Sequence, residues 1–395
     1  MHARVHDPQS VLARHGQRAA KLAQYLHRSD PQADALIDAI SARGGHRTRM
    51  LFERALKEGL GAVRAGAPQA LVDFFEHVED VPPWVDWERI DAGGRVFLRA
   101  GLLSGFVLGV KSLIYGYAAP AGNKPLIFSG RLEKRTARRL NETSRFVQAV
   151  VDPGGMHRFG HGFEITVRVR LMHAQVRRML ERSGRWDTEA WATPINQHDM
   201  VATILLFSSI LLQGLRTLGL RISVAEAEDY MHLWRYVGHV IGVDDALLPT
   251  TEAEARWLQE LIFEMQGPPD DDSRALTQAL LQSPLLMATD EPSRRRAQRQ
   301  VDFSAGLCRG LIGDELADAL GVDRSAWVRS VDVMRAVVGT LESVRQKVPW
   351  LEEAAVRAGQ RHWAHVVALG LADSPATFEF QHTALEGRRS PRSSR

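Results

Sequence analysis

Eight stretches of this chain repeat their apolar residues with a period near 3.6, and no long stretch keeps the strict alternation of a half-buried strand. They are Val11–Leu26, Leu51–Val63, Leu132–Val150, Ile165–Leu180, Met200–Leu218, Ala225–Gly242, Glu252–Met265 and Trp327–Val344. The breaks fall on helix-stopping chemistry: Val81-Pro82-Pro83, Asp152-Pro153-Gly154-Gly155, Gly184, Gly219 and Gly267-Pro268-Pro269-Asp270. Ser223 followed by Glu226 three residues on is a capping box. Only Lys124–Ser129 invites a strand reading. The pattern predicts one all-α domain over residues 1–386, with a frayed N-terminus and a disordered basic tail over 387–395.

Composition narrows the class. Of the 395 residues, 45% are hydrophobic and 25% charged, the balance of a globular protein rather than a disordered one. Cys308 is the single cysteine, so disulfides, cysteine-held zinc or iron–sulfur clusters and C-x-x-C-H haem attachment are excluded. The formal charge is +3, yet residues 387–395 hold four arginines and no acid, more than the whole excess. A near-neutral body argues against a nucleic-acid partner. The first thirty residues lack an apolar signal region. Ala100–Val110 and Met200–Leu212 fall short of the roughly 18 apolar residues of a membrane span. These features predict a cytoplasmic protein with buried core helices and no membrane span.

Three helices carry chemistry. In Ile165–Leu180, an apolar arc contains Ile165, Val169, Met172, Val176, Met179 and Leu180, with His173 at its edge and Arg168, Arg170, Arg177 and Arg178 outside it. An imidazole so placed is either a neutral core histidine bonded to a carbonyl or hydroxyl, or an axial ligand to haem iron. In Leu132–Val150, one face holds Leu132, Thr136, Leu140, Thr143, Val147 and Val150. Arg139 projects into this arc and Glu142 borders it. An inward guanidinium needs an anion, a carbonyl or a polar cavity, which Glu142 could supply; otherwise it snorkels to the surface. In Tyr230–Val243, His232, Arg235, Tyr236 and His239 align on one side. His232 and His239 lie about 10.5 Å apart along the axis and cannot share one metal. That side reads as a solvated polar face or as a pocket wall.

Other signals are weaker. His157 and His161 are surrounded by glycines, His362 and His365 lack an acidic third ligand, and Arg294-Arg295-Arg296 is a solvated charge run. H-E-x-x-H, P-loop, G-x-S-x-G and dinucleotide fingerprints are absent.

Taken together, GRL-x(6)-RL-x(2)-T from Gly130 to Thr143, DPGG, GHGFEITVRVRLMHAQVR, TPINQHD and YMHLWRYVGHVIGVDDALLP resemble the latex clearing protein superfamily, which includes the mpaB-like oxygenases. The resemblance covers about residues 95–250. It implies a globin-like helical core around a non-covalent b-type haem. His173 matches the proximal iron ligand, and Arg139 and Thr143 match polar residues of the distal pocket. Arg177 and His232 complete the expected cofactor shell, and Arg139, Glu142 and Thr143 form the expected catalytic trio. Two positions depart from the family. Glu142 stands where latex clearing proteins have lysine, and Asn123 stands near their upstream glutamate base. The implied function is oxygen- or peroxide-dependent oxidation of a small apolar or lipid-like substrate, with an electron donor as partner. A haem-binding carrier or gas sensor without turnover is the alternative, and a helical scaffold with an empty pocket is a third.

Overall fold

The computed structural model describes residues 1–128, 132–286 and 288–370, without the side chains of 132–137 and 370. Leu132, Thr136 and the tail over 387–395 therefore lie outside the described side chains. Every regular element among the described residues is helical. The capping box at Ser223 forms as its spacing demands, opening the Val224–Val240 helix.

Some boundaries shift for local reasons. Gly16, at φ +55°, divides the first stretch into Pro8–His15 and Gln17–Gln24. Ser208 Oγ donates to the Ile204 carbonyl at 2.8 Å where Gln197–Phe207 gives way to Ser209–Thr217. That pair, Gln197–Thr217, is long and apolar enough to cross a membrane, but 67% of its most apolar window is buried in the protein. Trp327 falls in a 3-10 turn, Ala326–Arg329, ahead of the Ser330–Arg345 helix.

The strand expected at Lys124–Ser129 is a helix, Pro120–Phe128, as far as the described residues go. Six residues are too few to show a period. Pro120 presets the first turn, and Lys124 is drawn to Asp270 at 2.8 Å.

Helices that periodicity did not single out complete the body: Pro31–Ser41, Gln69–Glu79, Trp87–Ala100, Glu291–Ile312 and Trp350–Gly370. Trp87–Ala100 is central. A Cβ on Gly93 would lie 2.4 Å from the Asp229 carbonyl oxygen, and one on Gly94 would lie 2.3 Å from that of Val151. The paired glycines let this helix meet Val224–Val240 on one side and Leu132–Val151 on the other. The Asp152–Gly160 turn then returns the chain so that His161–Arg182 packs against Leu132–Val151.

Candidate functional site

The His161–Arg182 helix is buried on more than its apolar side. Arg168, Arg170 and Arg177 are 9%, 2% and 0% exposed, whereas Met179, inside the apolar arc, is 49% exposed. Two neighbouring helices cause this: Gly45–Glu58, whose Glu53 accepts from Arg168 at 2.7 Å, and Pro31–Ser41, with its N-cap Asp30 and with Asp34 and Asp38 at four-residue spacing on one face. Arg170 Nε donates to Asp30 Oδ2 at 2.7 Å, Arg177 pairs with Asp34, and Arg178 reaches Asp38 at 2.9 Å. Burial raises the Asp30 carboxyl, but Arg170 outweighs that and holds it below the usual range. Buried guanidiniums are tolerable because each meets carboxylates and carbonyls.

Arg177 is held by three acceptors of the protein. Its Nε donates to the Pro194 carbonyl at 3.1 Å, its Nη2 to that of Ile195 at 2.9 Å, and its Nη1 to Asp34. These contacts give Arg177 a structural role.

His173 lies one turn from both Arg170 and Arg177. Its Nδ1 is fully enclosed and has no hydrogen-bond partner, although the residue keeps some accessible surface. Burial, reinforced by the Arg177 charge, pushes its pKa down to about 4, so the imidazole is neutral. The core-histidine reading required a carbonyl or hydroxyl partner, and Nδ1 has none. An orphaned polar atom in such a place calls for an explanation, and a neutral imidazole is the form that ligates metal.

On the Leu132–Val151 helix Arg139 is half-buried; burial raises the Tyr117 hydroxyl pKa, and the Arg139 charge works against that. Tyr117 is itself buried. Sequence reasoning missed this tyrosine, which sits in the apolar run Ile114–Ala118. Glu142 is 9% exposed, but its contact differs from the expected one. Its Oε1 accepts from Arg138 Nε at 3.0 Å, an i,i+4 pair. Thr143 is half-buried on the next turn. Asn123 is buried, and its amide donates to the Tyr117 carbonyl at 2.7 Å and to Ser273 Oγ at 3.4 Å.

The polar side of Val224–Val240 is not solvated. Trp84 covers it, edge-on to His232 at 5.6 Å and to Tyr236 at 6.4 Å, with the Arg235 guanidinium 3.9 Å from its ring. His232 Nε2 accepts the Asp86 backbone N–H at 3.0 Å, which ties this residue to the loop ahead of the Trp87–Ala100 helix. His239 stacks on His77 at 4.8 Å and bonds Asp245 at 2.9 Å. His157 stacks on Trp87 at 4.2 Å, away from any joint site with His161. No cluster of three or more histidine, cysteine or acidic residues suited to a metal exists among the described residues. A single axial histidine needs no such cluster.

Comparison with known proteins places these residues in context. A family model described as the ER-bound oxygenase mpaB/B′/Rubber oxygenase catalytic domain matches residues 91–342. The match runs well beyond the 95–250 core legible in the sequence. A rubber oxygenase of Streptomyces sp. (strain K30) is 26% identical over 287 residues, which are 72% of this chain and 66% of that protein. The chain also shares its fold with a latex clearing protein solved in the closed state, at a TM-score of 0.67 and 22% identity over 85% of this chain and 91% of that one. The matched region holds both the Arg139–Thr143 stretch and His173, and the chain belongs to the mpaB/rubber oxygenase catalytic-domain family.

Proposed function

We propose that this protein is a haem b-dependent oxygenase acting on a small apolar or lipid-like substrate, with His173 as the iron ligand. One observation carries the reading: the His173 imidazole is neutral, and its enclosed Nδ1 has no partner. Haem, when bound, supplies the iron centre that activates dioxygen. Arg139 contributes a permanent positive charge and N–H donors, the groups that stabilise negative charge developing on oxygen. Thr143 adds a hydroxyl on the same face of the helix. Glu142 is the carboxylate that accepts a proton, its Oε1 held in place by Arg138. The hydrophobic cluster that runs from Val5 to Trp363 supports one domain around this site.

One arrangement favours the carrier or sensor as a second reading. Asn123 replaces the family's upstream glutamate and is tied to Tyr117 and Ser273, so it cannot act as a base. Oxygen uptake by the reduced protein, measured with and without an unsaturated lipid-like hydrocarbon, separates the two. Substrate-dependent uptake with an oxygenated product supports the oxygenase. Reversible oxygen binding without consumption supports the carrier.

A further inference from the structure

We propose that the exposed face of the Ser330–Arg345 helix docks this protein on an anionic lipid surface. Val333, Val337, Leu341 and Val344 are 63%, 54%, 64% and 48% exposed. At 100° per residue the four fall within an arc of about 80°, and they extend over about 16 Å of helix. The opposite side fixes the helix to the body. Val331 is buried, Arg335 Nε donates to the Thr217 carbonyl at 3.0 Å, and Glu342 accepts the Arg221 N–H at 3.0 Å. The aliphatic stripe is thus held outward.

Its ends and rim match an interfacial helix. Trp327 and Trp350, one beyond each end, are 50% and 67% exposed. Indole rings favour the boundary between headgroups and acyl chains. Arg329 and Lys347, just before and just after the helix, are both exposed. Both acids of the helix are already paired, Asp332 with Arg335 at 3.4 Å and Glu342 with Arg345 at 2.8 Å. The free charge of this face is therefore positive. An apolar patch together with basic groups is the combination that holds a protein on anionic lipid. Four aliphatic side chains fall well short of the roughly 800 Å² per partner that a stable protein interface buries, which disfavours a second copy as the occupant. This inference goes beyond the oxygenase reading, and its test does not require turnover.

Vesicle co-sedimentation of the full chain tests it, with phosphatidylcholine alone or mixed with phosphatidylglycerol. The protein should sediment with the mixed vesicles, less so at high salt, and the emission of Trp327 and Trp350 should shift to the blue. Val337→Asp/Leu341→Asp should weaken partitioning about tenfold or more with unchanged circular dichroism, and Val337→Ser/Leu341→Ser should weaken it less. Failure of the unaltered chain to sediment, or equal sedimentation of the aspartate variant, overturns the proposal. So does a lipid-free dimer that the aspartate variant converts to monomer, because a second copy would then cover the face.

Discussion

Replacing Arg177 with methionine should unfold the protein more readily without removing a cofactor contact. The guanidinium is 0% exposed and has three acceptors: the Asp34 carboxylate and the Pro194 and Ile195 carbonyls. Methionine fills comparable space but leaves Asp34, itself 3% exposed, as a buried carboxylate without its cation. Breaking one side of a buried pair costs about 3–5 kcal/mol, a large part of the roughly 5–15 kcal/mol that stabilises a typical protein. Arg177→Met/Asp34→Leu removes the charge on both sides and should recover much of the loss, although the two carbonyls stay unpaired. Urea denaturation of the four proteins in the cycle measures the coupling. Haem content per folded protein should match that of the parent. A variant that melts like the parent but purifies without haem would refute this reasoning and return Arg177 to the cofactor shell.

Three further outcomes follow from particular contacts. Glu142→Gln should retain haem and lower turnover by roughly 10²-fold, the scale of a lost acid–base group; steady-state oxygen uptake checks this, and unchanged turnover would make the carboxylate non-catalytic. His232→Ala should keep its haem but lose roughly 1–3 kcal/mol in urea, because the Asp86 N–H loses its acceptor. His77 and His173 are both pushed down to about 4 by burial. The unfolded chain takes up these protons below about 6.5 and the folded chain does not, so stability present at neutral pH is lost as pH falls from about 6.5 towards 4, at up to roughly 1.4 kcal/mol per pH unit for each group. Urea midpoints of cofactor-free protein across that range should show this slope, and it should be shallower in His77→Leu.

Much of the fold was legible because helical periodicity and cap chemistry are local. The capping box at Ser223 and the long helices carrying Arg139 and His173 follow directly from residue spacing. The arginines of the His173 helix did not, because a wheel shows what a helix offers and not what its neighbour supplies. Asp30, Asp34 and Asp38 sit about 140 residues away in sequence, and only their four-residue spacing could have marked them as partners. Glu142 is an i,i+4 neighbour of Arg138 and an i,i+3 neighbour of Arg139, and spacing alone does not choose between them; its Oε1 accepts from Arg138. His232 and His239 looked solvated because Trp84, which covers them, arrives from a distant loop. His173 was legible on both levels. Its position at the edge of an apolar arc anticipated the neutral imidazole, and its motif anticipated the family.

The visible absorption spectrum of the purified protein, recorded beside that of His173→Ala, tests the central claim most directly. The parent should show a strong Soret band from haem that acid–acetone extraction removes, and the His173→Ala variant should lose most of that band while keeping its helical circular dichroism. A parent without haem, or a His173→Ala variant with the same haem content and spectrum, would contradict the account.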